Sequence, residues 1–365
     1  MAASEILTTW RTAFRPVLPA LFLLWLCGCG GAERSPAIGE GFVAPATLNL
    51  RRELGPREPA VATVKHGERL EIVGRRRRFL KVRTATGIEG WIDGRLLFSP
   101  GQMAELRALA RQAGRLPSQG AATVYETLNV HTHPNRQAPS FHQLKEGDRV
   151  EVVAHRLAPR VPFSPQEPEL TSELAASVPM DDWSLVRLPG GRAGWVLFRM
   201  LVMSIPDEVA QYAEGHRITS YFSLGEVRDR GEVKQNWLWT TIARALEPYQ
   251  FDSFRVFVWS QRRHRYETAY IERNLRGYYP VEVHAPGTNA AGPPSFSLIV
   301  EERDGHRYRR TYAFQGYHVR LVQKKPWTPP LEASELAGEP EAEAPAEPSK
   351  PFWTRLREKL RSLWR

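Results

Sequence analysis

Two histidines in this sequence have the spacing of a possible metal site. His131 and His133 are separated by one residue, so a strand would turn both imidazoles to the same face, as a zinc peptidase requires. Such an enzyme would also need a histidine followed four residues later by an aspartate, and none of the 10 histidines has one. The sequence therefore predicts no metal and no cofactor.

Arginines and tryptophans are the side chains best suited to binding. Four consecutive arginines, Arg75 to Arg78, fall at the tip of a predicted hairpin. Guanidinium groups match carboxylates and phosphates, although such a run is also typical of a solvated turn. An indole offers a broad apolar face to a ligand, although a tryptophan in a strand is also typical of half-buried framework. The predicted ligand-binding residues are Trp91, Trp183, Trp195, Arg51, Arg76, Arg77 and Arg187.

Cysteine usage excludes several kinds of chemistry. The only cysteines are Cys27 and Cys29, so the rest of the chain has no disulfide, no thiolate zinc site and no cysteine nucleophile. No pairing of a nucleophile with a base and no phosphate-binding loop is evident either. The sequence therefore predicts that the protein is not an enzyme.

Two segments share an ordered set of landmarks, which indicates one small fold used twice. Residues 47–51 read T-L-N-L-R and residues 127–131 read T-L-N-V-H, and each is followed by a Lys-x-Gly turn and later by Gly-Trp. Between the landmarks, apolar and polar residues alternate, which predicts half-buried strands. So short a sheet must close on itself to bury a core, so each copy is predicted to be a small barrel.

The order of these landmarks resembles the bacterial SH3 domain family. In the first copy the resemblance is carried by Leu48 to Arg51, Lys65 to Gly67, Phe79 to Val82, and Gly90-Trp91. In the second copy it is carried by Leu128 to Val130, Lys145 to Gly147, Trp183 to Val186, and Gly194-Trp195. The resemblance covers about residues 45–203 and implies small β-barrels that bind peptides or glycans, often of the bacterial cell wall.

The predicted fold class is mainly β with helical linkers (β + α). Two SH3-like barrels are expected at 45–98 and 121–203, the second with a proline-rich insertion at 155–180 that leaves the barrel as a long loop. A linker helix at 101–120 joins them. A helical segment at 204–248 is predicted from a stripe that contains Trp237, Leu238, Thr241 and Ile242, and an antiparallel β unit at 249–325 follows.

The N-terminus predicts export and a lipid anchor. An apolar run, Val17 to Leu26, follows Arg11 and Arg15 and leads into Leu26-Cys27-Gly28-Cys29, which resembles the lipobox of bacterial lipoproteins. This resemblance implies a signal peptide at 1–28, lipidation of Cys29 and a tether at 29–44. Gly30 favours the outer membrane, with the protein facing the periplasm.

The C-terminus predicts a second contact. Residues 326–350 are rich in proline, alanine and glutamate and are expected to be a disordered linker. Residues 351–365 have the pattern of a basic amphipathic helix that contacts a membrane or a partner. Its apolar face consists of Phe352, Trp353, Leu356, Leu360, Leu363 and Trp364.

Together these features predict a non-enzymatic envelope lipoprotein that binds cell-wall peptide, peptidoglycan or an envelope protein. The net charge of +10 suits anionic lipids and the carboxylates of wall peptides, whereas nucleic acid does not fit an exported, anchored chain. Two alternatives stay open at this point. One is a cell-wall hydrolase, or its targeting subunit, with an unrecognised catalytic region at 204–323. The other is a structural envelope scaffold.

Overall fold

The first half of the chain forms two seven-stranded antiparallel sheets. The computed structural model describes residues 35–55, 57–160, 178–284 and 294–329. The first unit contains β1 (Gly39–Val43), β2 (Thr47–Arg51), β3 (Ala60–Lys65), β4 (Arg69–Arg76), β5 (Phe79–Arg83), β6 (Glu89–Asp93) and β7 (Leu97–Phe98). The second contains β8 (Ala121–Val124), β9 (Leu128–His131), β10 (Ser140–Leu144), β11 (Arg149–Pro159), β12 (Met180–Leu188), β13 (Arg192–Leu197) and β14 (Leu201–Met203).

The two sheets have the same strand order. The first is ordered β3-β2-β6-β5-β4-β1-β7 and the second β10-β9-β13-β12-β11-β8-β14, so each strand has a counterpart seven places later. The Lys-x-Gly turns recur because Gly67 and Gly147 both have positive φ, 78° and 84°, a conformation that suits glycine. The first sheet begins earlier in the chain than predicted: β1 lies within residues 29–44, the segment expected to be a tether.

Alternating side chains on these strands bury the cores. In the first unit Leu50, Val82 and Ile92 lie in one apolar cluster, and all three are almost fully buried. In the second unit Val130, Phe141 and their neighbours form a larger cluster that also takes in Phe98 from β7. The two units therefore share an apolar contact.

Helix α1 (Pro100–Arg115) connects the two units. Ser99 caps its N-terminus: the Ser99 hydroxyl accepts from the backbone N–H of Gln102, and the Gln102 side chain accepts from the backbone N–H of Ser99. The helix buries Met103, Leu106 and Ala113. It packs on β12 and β13 of the second unit.

The predicted helical segment at 204–248 is wrong, and with it the mixed β + α fold class. The described part of the chain has two α-helices, α1 and the four-residue α2 (Asp207–Ala210), and its other regular structure is strand apart from three short 3-10 helices. Most of the segment forms β15 (Arg217–Asp229) and β16 (Glu232–Ile242). The last five residues of β16, from Leu238 to Ile242, are all buried, so no period-2 alternation marks them as a strand.

The C-terminal part consists of two four-stranded antiparallel sheets with a common core. One contains β15, β16, β17 (Ser253–Ser260) and β18 (Arg265–Glu272), and the other β19 (Gly277–His284), β20 (Ser295–Glu301), β21 (Arg307–Gln315) and β22 (His318–Pro326). Leu238, Phe254, Phe296 and Tyr312 come from both sheets and lie in one apolar cluster.

The predicted insertion at 155–180 contains paired strand at both ends. His155 pairs with Ser184 and Pro159 with Met180, so β11 and β12 form a longer hairpin than the first unit has. Residues 161–177 lie outside the described residues. No helix among the described residues is long and apolar enough to cross a membrane.

Candidate functional site

A groove runs across the first unit beside its closing tryptophan. One wall is the loop after β2, and the other is formed by the β4–β5 hairpin and the turn after β6. Its volume is about 640 Å³. The lining residues are Thr47, Leu48, Asn49, Arg51, Glu53, Leu54, Gly55, Arg78, Phe79, Trp91, Ile92, Asp93 and Leu96.

The floor of the groove is aromatic and apolar because of strand register. Phe79 of β5 and Trp91 of β6 are both half-buried, and Lys81 pairs with Trp91 across the ladder. Residues two apart on a strand face the same side, so Trp91 and Asp93 project from one face of β6. A half-buried indole next to an open groove can stack on a flat or apolar ligand group.

The charges around the groove differ in how they are paired. Asp93 pairs with Arg95 at 2.8 Å and with Arg78 at 3.5 Å, and the hydrogen bond from Arg95 is the main reason that the pKa of Asp93 is lowered to about 2. Arg51 donates from Nη1 to the Glu58 carbonyl at 2.6 Å. Within the described residues, neither Arg51 nor Glu53 forms an ion pair. The groove therefore offers one unpaired cation and one unpaired carboxylate.

Of the predicted site residues, the structure brings Trp91 and Arg51 together. They pair directly, Arg51 of β2 opposite Trp91 of β6. Arg76 and Arg77 are exposed and do not line the groove. The hairpin tip instead brings Arg78 to the rim, where its guanidinium lies 4.9 Å from the centre of the Phe79 ring.

The corresponding face of the second unit is covered by α1. Trp183 and Trp195 are the counterparts of Phe79 and Trp91, and both are buried, with exposures of 0% and 2%. They share an apolar cluster with Ala113 of α1, against which Leu109 also packs. These two indoles are therefore framework, because the helix occupies the face that the first unit leaves open.

Arg187 holds the end of that helix. Its Nη1 donates to the Leu116 carbonyl at 3.2 Å, and its Nε donates to Glu151 at 2.9 Å. Arginine at the C-terminal end of a helix satisfies carbonyls that have no partner within the helix. Its counterpart Arg83 likewise donates to a backbone carbonyl, that of Ser35, and to Glu89.

The remaining candidate residues contribute nothing to the groove among the described residues. Cys29 and the C-terminal set from Phe352 to Trp364 lie outside the described residues. His131 hydrogen-bonds through Nδ1 to the Ala138 carbonyl and meets Trp183 edge-on, with ring centres 5.4 Å apart. Among the described residues, no three metal-ligating side chains come together.

Sequence reasoning missed part of the groove. Glu53 and Leu54 come from a loop and Leu96 from a one-turn 3-10 helix, and no hydrophobic periodicity marks such residues as part of a site. The position of Arg78 next to the groove could have been predicted from the sequence. A two-residue turn at Arg77-Arg78 places Arg78 directly before the strand that begins at Phe79. Arg77 has a positive φ of 54°, as such a turn requires.

The comparison with protein families agrees with the first repeat. Residues 46–98 match the family described as Bacterial SH3 domain. This confirms the resemblance for the first copy, and the assignment of the second copy stays a prediction. A bacterial SH3 domain suggests cell-wall binding. No curated protein matches the chain.

Several solved structures are similar to the chain over most of its length, each at 11% identity. NlpC2 from Trichomonas vaginalis has a TM-score of 0.16, with 80% of this chain and 98% of that chain covered. An NlpC/P60 family protein from Bacillus cereus has a TM-score of 0.21, with 82% and 98% covered. These matches contradict the prediction that the protein is not an enzyme, which we withdraw. Scores this low carry no argument for any particular activity.

The first seven-stranded unit therefore combines the family match with a groove of about 640 Å³, whereas the cavity beside Trp195 in the second unit is smaller, about 220 Å³, and is partly lined by α1. Residues 46–98 are the part of this chain that matches the bacterial SH3 domain family.

Proposed function

We propose that the groove of residues 46–98 binds a short, extended peptide of the bacterial cell wall. The observation that carries the proposal is Trp91, a half-buried indole on the groove floor directly opposite Arg51, which has no ion pair within the described residues. Aromatic anchors and arginines are the residues that most often dominate binding energy at protein surfaces.

The unpaired charges suggest how such a peptide is oriented. Arg51 would receive a ligand carboxylate through charge-assisted hydrogen bonds, and Glu53 would receive an amine or amide. Asp93 is already neutralised by Arg95 and Arg78, so it does not repel a carboxylate at that end. The apolar floor between these charges would take the aliphatic part of a residue.

Co-sedimentation of the full chain with purified cell-wall sacculi tests the proposal. Trp91→Ala and Arg51→Gln are each expected to weaken pelleting about tenfold or more, on the ~1.4 kcal/mol that one good contact contributes. Tyr125→Ala and Arg76→Gln are the matched controls, because Tyr125 is 63% exposed and neither residue lines the groove. If the groove variants pellet like the wild-type protein, the groove is not the binding site.

The location of the protein is part of the same proposal. We propose that Cys29 carries a lipid in the outer membrane, on the strength of the Leu26-Cys27-Gly28-Cys29 motif, and that residues 351–365 contact a membrane or an envelope partner. Metabolic labelling with radioactive palmitate should mark the wild-type protein and not Cys29→Ala. Equal labelling of the two would remove the anchor from the proposal.

A further inference from the structure

A second cavity lies between the second unit and the C-terminal sheets. Its volume is about 360 Å³, within the usual range of about 300–1,000 Å³ for sites that hold small molecules. It is lined by the start of β12, the turn after β13, the start of β15 and the residues that follow β16. Four arginines line it: Arg160, Arg199, Arg217 and Arg244.

The two carboxylates in the cavity wall are already paired. Arg136 donates to both oxygens of Asp181, at 2.6 and 2.9 Å, and Arg160 approaches Asp181 at 3.4 Å. Asp182 pairs with the buried His155. The cavity lining therefore holds four arginines against two carboxylates, and both carboxylates already have a partner of their own.

Arg217 forms no ion pair within the described residues, although the carboxylate of Asp182 acts on its pKa in the raising direction, against the larger effect of burial. Its Nη2 donates to the carbonyls of Phe198 and Leu201, the latter at 2.8 Å, and its guanidinium stacks 4.0 Å from the centre of the Phe198 ring. Burial lowers the pKa of Arg217, yet an arginine side chain stays charged in proteins. A partly buried charge is costly unless it is compensated, and the lining carries more cations than carboxylates, so an anion in the cavity would be favoured.

Arg199 and Arg244 complete the positive wall. Both are exposed, and neither forms an ion pair within the described residues. The remaining lining is apolar and includes Phe198, Ile242 and Leu246. Leu246 is 50% exposed and has a φ of 63°, a conformation that is strained for leucine. Residues held in sparsely populated backbone conformations cluster at active sites and ligand clamps.

We propose that this cavity binds a small oxyanion, a carboxylate or a phosphate, carried on an apolar group. Arg199 and Arg244 would hold the oxyanion at the mouth, with Arg217 behind them. The apolar group would rest against Phe198 and Leu246. This site is separate from the groove of the bacterial SH3 domain and shares no lining residue with it.

Calorimetric titration of the full chain with benzoate and with phenyl phosphate tests the proposal. At least one of them should bind, benzyl alcohol should not, and the double variant Arg199→Gln/Arg244→Gln should weaken binding at least tenfold. The two probes differ only in the anion, so comparing them tells carboxylate from phosphate. Arg303→Gln is the matched control, since Arg303 is exposed and lies outside the cavity lining.

Three results would overturn the proposal. They are no binding of either anion to the wild-type protein, equal binding of benzyl alcohol, or unchanged affinity in the double variant. Arg199 and Arg244 are exposed and unpaired, so their replacement should leave the fold intact, and an unchanged circular dichroism spectrum verifies this.

Discussion

Replacing Gly194 with alanine tests why each repeat needs glycine before its closing tryptophan. A Cβ at Gly194 would lie 2.5 Å from Val130 Cγ1 and 2.8 Å from two ring carbons of Phe141. Neither neighbour can easily move: both are at most 1% exposed, and the Phe141 ring stacks on His66 with ring centres 5.5 Å apart. Forcing one extra carbon into a filled core costs about 1–3 kcal/mol.

The assay is urea unfolding at 25 °C, followed by tryptophan fluorescence. A loss of about 2 kcal/mol corresponds to a midpoint about 1 M lower. Gly114→Ala is the matched control, because a Cβ there meets nothing within 4 Å and the residue lies in α1. That change should stabilise the protein by about 0.5–1 kcal/mol. If Gly194→Ala unfolds at the wild-type urea concentration, close packing is not what requires the glycine.

Three further outcomes are expected. Burial lowers the pKa of His66 and of His142, so as the pH falls the unfolded chain binds protons before the folded protein does. The free energy of unfolding should therefore decrease as the pH drops below about 6.5, the usual pKa of histidine. The decrease should be smaller in a His66→Gln/His142→Gln variant. Arg187→Gln should speed amide hydrogen exchange in the last turn of α1, and equal exchange rates would contradict its role there. Trp239→Ala should cost about 3–5 kcal/mol in urea unfolding, because Trp239 is 1% exposed and packs edge-on against Phe257.

Local signals in the sequence were sufficient to predict the fold of the first repeat. Gly67 has a positive φ, and a Cβ at Gly90 would be too close to its neighbours, so the local backbone and packing require glycine at both positions. The same residue types therefore recur in each copy of the repeat. The sequence also marked Arg51 and Trp91 as ligand-binding residues, but their pairing between β2 and β6 is visible only in the structure. The sequence could therefore identify a bacterial SH3 domain and two residues of its groove.

Tertiary structure decided what the second repeat became. Trp91 and Trp195 occupy equivalent positions, yet Trp91 lines a groove and Trp195 is buried, because side chains of α1 pack in the cluster that contains Trp195 and none of them lines the groove at Trp91. Likewise the end of β16 is buried on both faces, which removed the alternation that identifies a strand. Both outcomes depend on contacts between segments that are distant in the sequence. The pattern of apolar and polar residues within one segment does not tell which other segment packs against it.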